Sequence, residues 1–262
     1  MLVLRGFAAI IVIERRSARS TMVKPFLTAN WRYLAMLNFF ADPKILEPLL
    51  PPGTELDFHE GRTFLSVVGF LFLDTRVFGL PIPLHRDFEE VNLRFYVRRK
   101  NVDDWRRGVA FVRELVPRQA IAVVARTFYG EPYSALPMRH RLEHRDGRVL
   151  AEYQWRRGKR WEALAMTACG EPQGSRQGSH EEFITEHYWG YTARRSGLNE
   201  YRVEHPRWRL WPAQTTKFEA DVATLYGPQF AEALSAPPAS AFIAEGSHVE
   251  VFRRTRALEE IL

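Results

Sequence analysis

A mainly β fold with a few short helices is what this sequence predicts, its sheet either stacked on another or curled closed. Three observations carry that expectation. Strand-like segments recur along most of the 262 residues. In the clearest of them, Phe88–Arg99, Val91, Leu93, Phe95 and Val97 alternate with Asn92, Arg94, Tyr96 and Arg98, which puts the two sets on opposite faces of a strand. Helical stretches are few and short in a chain that carries 16 prolines.

In chain order, Phe7–Ile13 is apolar but far short of the roughly 20 residues that span a bilayer. Residues 1–21 are expected to be a disordered or wrongly assigned extension, with Met22 a natural start and 22–262 one β domain. Trp31–Phe40 reads as a first strand. Asp42-Pro43 opens a short helix, the aspartate capping it and the proline tolerated in its first turn. Arg62–Leu73 is almost continuously apolar, as suits a strand buried on both faces or one bulged at Gly69. Gly108–Leu115 is a strand that pairs with Phe88–Arg99, and Ala120–Phe128 a short helix. Pro137–His144 and Arg148–Arg156 form a hairpin about the turn dipeptide Asp146-Gly147. Strands follow at Trp161–Cys169, Tyr188–Arg194, Glu200–Glu204, Trp208–Trp211, Thr215–Ala220 and Ser240–Arg254. A loop at Glu171–Ser179 and helical turns at His180–His187 and Ala220–Leu234 lie among them. Such a chain buries its sheet faces against one another or closes the sheet, and a closed sheet commonly encloses a pocket.

Composition narrows the function. The net charge of +6 permits contact with a polyanion, but basic and acidic residues are interleaved and no nucleic-acid-binding signature accompanies them. Neither nucleic acid nor membrane is an expected partner; a small molecule is, with homo-oligomerisation left open. The lone Cys169 excludes an intrachain disulfide and CxxC chemistry, which fits a cytoplasmic location. Its place in an apolar strand reads as a buried structural cysteine. His140 and His144 lie four apart on a strand, about 13 Å from each other, so no metal is expected. No G-x-S-x-G or phosphate-cradling glycine loop is present, and no cofactor is expected.

Two features carry candidate chemistry. Glu90, Asn92, Arg94 and Tyr96 form one polar stripe, which faces either water or, in a curled sheet, a cavity. In "RTFYGEPYSALPM" (126–138), Arg126 near a helix C-terminus complements the helix dipole, Gly130 suits a chain reversal, and Pro132 holds Glu131 extended. Backbone geometry leaves the flanking Glu131 and Tyr133 unexplained.

"ADPKILEPLLPPGTELD", "FEEVNLRFYV", "ARTFYGEPYSALPM" and "FITEHYWGYT…EYRVEHPRW" together resemble the YqjF-like family of uncharacterised proteins, which is placed in the acetoacetate decarboxylase-like superfamily. The resemblance runs from about Trp31 to Arg254. It implies a mainly antiparallel, cone-like β-barrel around a small-molecule pocket. Acetoacetate decarboxylase works through a Schiff-base lysine with a second lysine beside it. Matching that motif's arginine to Arg126 and its proline to Pro132 places the pair on Tyr133 and Ser134, neither of which forms an imine. Lys24, Lys44, Lys100, Lys159 and Lys217 all lie elsewhere. By the same resemblance Arg32 and Glu90 match a substrate-side arginine and a pocket glutamate. The leading expectation is a protein that binds an anionic or carbonyl compound, with Arg32, Asn92, Arg94, Arg126 and Ser134 binding it. An enzyme using Glu131, Tyr133 and Glu90 in acid–base chemistry without an imine is the alternative, and a non-catalytic scaffold the third reading.

Overall fold

The computed structural model describes residues 24–102, 104–128, 130–194, 197–253 and 255–257, with the side chains of 124–128 and 255–257 outside that description. The expectations for residues 1–21 and Met22 therefore lie outside the described residues. Sixteen strands and five short α-helices make up the described chain. They run β1 (Leu27–Ala41), α1 (Pro43–Leu46), β2 (Glu55–Leu56), β3 (Thr63–Val77), β4 (Leu80–Pro81), β5 (Phe88–Lys100) and β6 (Trp105–Val116). Next come α2 (Gln119–Phe128), β7 (Tyr133–Ala135), β8 (Met138–Arg145), β9 (Arg148–Arg157), β10 (Arg160–Cys169) and β11 (Gln173–Gly174). The chain continues through α3 (His180–Thr185), β12 (Trp189–Arg194), β13 (Gly197–Glu204), β14 (Arg209–Glu219), α4 (Val222–Leu225), α5 (Ala231–Ser235), β15 (Ser240–Val251) and β16 (Thr255–Ala257). No helix among the described residues is long and apolar enough to cross a membrane.

The main sheet runs β13-β12-β6-β5-β3-β1-β15, and β15 pairs again with β13 through Val203↔Val251 and Glu204↔Glu250. That last pairing closes a ring, mostly antiparallel but with β12 parallel to β6. From β15 the sheet also continues through β14 and β10 to the β9–β8 hairpin. This extension covers the outer face of β1, β3 and β5. Two apolar layers result: one between ring and extension, around Val67, Leu93, Phe95, Tyr153 and Trp155, and one inside the ring, around Met36, Phe70, Phe72 and Phe88.

β3 is buried on both faces, as its unbroken apolar run predicts. The bulge lies on its neighbour instead. β1 changes register against β3 between Arg32↔Leu71 and Ala35↔Gly69, and Tyr33 there takes a positive φ of 52°. Gly69 has a different job: a Cβ on it would stand 2.6 Å from the Tyr153 ring, so its bare backbone lets the extension approach the ring. The two strands expected at Trp208–Trp211 and Thr215–Ala220 are one continuous β14, because Pro212 pairs with Phe242 without breaking the strand. Cys169 corrects another expectation. It ends β10 where the strand leaves the sheet and is exposed, its thiol beside Gln214 at 3.1 Å.

Gly69→Ala is expected to lower stability by about 1–3 kcal/mol, the usual cost of overpacking, read as a lower midpoint in urea unfolding. Gly69→Ala with Tyr153→Leu should recover part of the loss, since the obstructing ring is gone.

Candidate functional site

The space inside the ring is a cavity of about 360 Å³. Its wall is largely aromatic, with Trp31, Phe72, Phe88, Phe111 and Trp208 prominent. Most of its polar side chains fall into two groups. Glu90, Asn92, Glu114, Glu131, Tyr133 and Tyr201 make one; Arg94, Thr185, His187 and His205 make the other, with Thr75 and His85 elsewhere on the wall.

Strand geometry explains the first group. Alternation along β5 turns Glu90, Asn92 and Arg94 to the cavity, so the polar stripe faces inward. On β6 a register change between Leu93↔Arg113 and Arg94↔Phe111 leaves Val112 unpaired. The bulge reverses the alternation, and Phe111 and Glu114 consequently both line the cavity. β7 then pairs in parallel with β6, setting Tyr133 opposite Glu114, while Asn92 pairs with Glu114 on the other side. Asn92, Glu114 and Tyr133 thus lie in a row across three strands. Gly130, at φ 74°, lets the chain turn from α2 into Glu131-Pro132. Across the ring, Gly190 pairs with Tyr201, and a Cβ on Gly190 would stand 2.1 Å from the phenol ring. Only glycine there leaves the ring room to reach Glu131.

The contacts are specific. The Tyr133 hydroxyl donates to Glu90 Oε2 at 2.9 Å, and Asn92 Nδ2 donates to Glu90 Oε1 at 3.0 Å. The Tyr201 hydroxyl donates to Glu131 Oε1. All three glutamates are buried. Burial pushes the Glu90 carboxyl up to about 7, against the nearby charge of Arg94 and the hydrogen bonds from Asn92 and Tyr133. It pushes Glu131 to about 8, with Glu90 adding to the rise. Glu114 is raised well above the usual carboxylate range by burial and then by its two acidic neighbours. Burial and the same carboxylates hold Tyr133 well above the ordinary phenol value. Near neutral pH the cluster therefore keeps protons that ordinary carboxylates have lost, Glu131 mostly protonated and Glu90 about half so, and its carboxyls can donate hydrogen bonds as well as accept them.

The second group was not legible beyond Arg94. His187 follows α3, and its Nε2 lies 3.0 Å from Asp57 Oδ2, an atom that also accepts from Arg107 Nε at 2.6 Å. Burial, with Arg107 and Arg94 close by, depresses His187 to about 4. Arg94 donates to the Ile184 carbonyl at 3.4 Å. Nothing in "EHYWG" marks His187 in advance, and Tyr201 likewise sits in an unremarkable alternation; only the ring closure brings them in.

Two expected binding residues do not reach the cavity. Arg32 precedes the β1 bulge and sits opposite in sense to Trp31, which lines the wall; its guanidinium turns to the Gly246 carbonyl at 3.4 Å. Ser134 alternates with Tyr133 and therefore points to the other face, where Arg113 donates to it at 3.1 Å. The Arg126 side chain lies outside the described residues. No lysine lines the cavity among the described residues.

A family model of uncharacterized conserved proteins, DUF2071, matches residues 28–248. The chain belongs to the DUF2071 family. The uncharacterized protein YqjF of Bacillus subtilis (strain 168) is 28% identical over 188 residues, which is 71% of this chain and 75% of that protein. Among solved structures, the acetoacetate decarboxylase of Legionella pneumophila matches with a TM-score of 0.61 at 14% identity, covering 100% of both chains. The enduracididine biosynthesis enzyme MppR, in complex with pyruvate, matches with a TM-score of 0.61 at 12% identity over 91% of this chain and 93% of its own. At those identities the likeness is one of fold. This DUF2071 chain has the mainly β architecture of acetoacetate decarboxylase-like proteins, with Tyr133 at the head of the strand where the resemblance placed a lysine.

The acid cluster fixes a pH dependence. Glu90 and Glu131 have folded values of about 7 and 8 against an ordinary 4.5. The folded state thus holds protons that the unfolded state has lost. Their contribution to stability is complete below about pH 4.5 and is lost as pH rises through 7 to 8. His187 and His205, both depressed to about 4, act in the opposite sense, but only below about 6.5. Above that pH the carboxyls dominate. Glu131→Gln should raise the melting temperature at pH 8.5 by a few degrees and flatten its fall between pH 6.5 and 8.5. An equally steep fall in the variant would show that Glu131 ionises freely in the folded protein.

Proposed function

We propose that this protein binds a small carbonyl compound or carboxylate, holding its oxygen against Glu90, Glu114, Glu131 and Tyr133. One observation carries the reading: three buried glutamates, whose carboxyls burial raises to about 7 at Glu90, to about 8 at Glu131 and well above the ordinary range at Glu114, converge with a phenol on one aromatic-walled cavity. A neutral carboxyl offers an O–H donor in a place of low dielectric, where a hydrogen bond to an oxygen acceptor is strong. Asn92 Oδ1 and Glu114 Oε2 are buried without a hydrogen-bond partner among the described residues, which supports a further polar group meeting them. Arg94 adds positive potential to the same space. A cavity of about 360 Å³ accommodates a metabolite-sized molecule and speaks against a scaffold whose interior is filled.

A second reading, acid–base catalysis without an imine, draws support from the Glu131–Tyr201 and Glu90–Tyr133 pairs. Carboxyls near 7 and 8 can give and retake a proton at physiological pH. Glu131 would protonate a carbonyl oxygen, and Tyr133 would orient it.

Calorimetry at pH 7.5 in two buffers of different ionisation enthalpy, with pyruvate, acetoacetate and phenylpyruvate, tests binding. A bound carboxylate raises the glutamates further, so a fractional proton uptake is expected. Proton release, or heats only from organic ammonium compounds, would show that the cluster serves a cation instead. Borohydride treatment in the presence of acetoacetate should leave the protein mass unchanged. A reduced lysine adduct would overturn the exclusion of imine chemistry.

A further inference from the structure

His187 is the part of the cavity wall that the carbonyl-binding reading leaves unused. Its residue is 8% exposed and its side chain 1%. Asp57 is held ionised by His187 and Arg107, its pKa lowered despite burial. An ionised carboxylate only accepts, so His187 Nε2, at 3.0 Å from it, must carry the hydrogen. In the neutral ring Nδ1 is then a bare lone pair. That atom is buried and has no hydrogen-bond partner among the described residues. His187 is one of the residues that line the cavity, and Nδ1 is its one remaining acceptor.

Arg94 provides the matching donor. Its Nε is likewise buried without a partner among the described residues, although a terminal nitrogen reaches the Ile184 carbonyl three positions before His187. The Tyr96 ring joins the two, lying 4.8 Å from the His187 ring and 5.7 Å from the Arg94 guanidinium. One lone pair and one N–H, on two residues of the same wall that interact electrostatically, are complementary to a group that both donates and accepts. A hydroxyl does this; a carboxylate satisfies Arg94 but meets the His187 lone pair with like charge, and a plain hydrocarbon leaves both atoms unpaired. The two polar groups of the cavity are separated along β5: Glu90 and Arg94 are four residues apart, about 13 Å. Asn92 lies between them on the strand, and much of the remaining wall is aromatic. At about 30 Å³ per water-sized atom, the volume holds roughly a dozen non-hydrogen atoms.

We propose that the ligand of this cavity is a hydroxylated aromatic or similarly flat carbonyl compound, with its oxo or carboxylate end at the glutamates and its hydroxyl donating to His187 Nδ1 and accepting from Arg94 Nε. The proposal rests on the carbonyl-binding reading and names the ligand class for that same site. Asp57 and Arg107 are positioning residues, since they fix the imidazole tautomer without reaching the cavity wall.

Phenylpyruvate and 4-hydroxyphenylpyruvate, which differ by the hydroxyl alone, form the test. Calorimetry with the full chain should show the hydroxylated compound binding about tenfold tighter, the worth of one well-placed hydrogen-bonding group of about 1.4 kcal/mol. In His187→Phe the preference should fall to about one while phenylpyruvate still binds. His187→Gln, which keeps an acceptor, should retain part of it. Should His187→Phe not fold, ¹⁵N NMR of histidine-labelled wild-type protein decides: the Nδ1 resonance of His187 should lie in the unprotonated range and move on adding 4-hydroxyphenylpyruvate but not phenylpyruvate. Equal affinity for the two compounds, or a His187 resonance indifferent to the hydroxyl, would overturn this inference and leave the carbonyl reading standing. If neither compound binds, the carbonyl reading falls and this inference with it.

Discussion

Glu90, Glu114 and Glu131 are buried in one cavity wall, where their charges cannot all be accommodated. Arg94 is the one guanidinium that lines it among the described residues, and it sits at the far end of the β5 stripe. Water would screen three carboxylates; an aromatic wall does not. The cluster resolves the conflict by keeping protons, and that choice sets its chemistry. Neutral carboxyls and a phenol that stays protonated make a surface of hydrogen-bond donors where formal charge alone would suggest an anionic trap.

That arrangement depends on the ring being closed, and closure depends on places where the backbone must come unusually near something else. Gly190 yields to the Tyr201 ring and Gly108 to the Trp189 carbonyl, while Gly69 admits Tyr153 of the covering layer against the outside of the ring. The first of these carries Tyr201 to Glu131, so a residue on one side of the ring satisfies a carboxyl on the other. The bulge at Val112 is as consequential. Without it, strict alternation from Phe111 would turn Glu114 away from the cavity, and the row Asn92–Glu114–Tyr133 would lose its centre.

The same details explain how much of the molecule can be read from its residues. Period-two alternation in Phe88–Arg99 and the Asp146-Gly147 turn report local geometry, and both correspond to observed elements. The polar stripe was visible too, though not which way it faced; a curled sheet and a flat one have the same alternation. Arg32 and Ser134 were misplaced for related reasons. Tyr33 at positive φ resets the facing of β1 just past Arg32, and adjacency in sequence to Tyr133 means the opposite face for Ser134. His187 and Tyr201 reach the cavity through long-range pairings, β12 beside β6 and β13 beside β15, which leave no local trace. Cys169 reads as core by its apolar neighbours, yet it is the last residue of β10 and is exposed.

The absence of a lysine at position 133 is consistent with the rest of the cluster on electrostatic grounds. A nucleophilic amine must be unprotonated to attack a carbonyl, and a second cation beside it or an apolar pocket depresses its pKa to that end. Here the neighbouring groups are Glu114 across the parallel pairing, Glu90 at hydrogen-bond distance from the Tyr133 hydroxyl, and Glu131 two residues before it. An amine set among them would take their protons and form an ammonium–carboxylate cluster, the state least able to act as a nucleophile. A phenol has no such reaction open to it: it donates to Glu90 and remains neutral. Tyrosine and the three acids thus support one another.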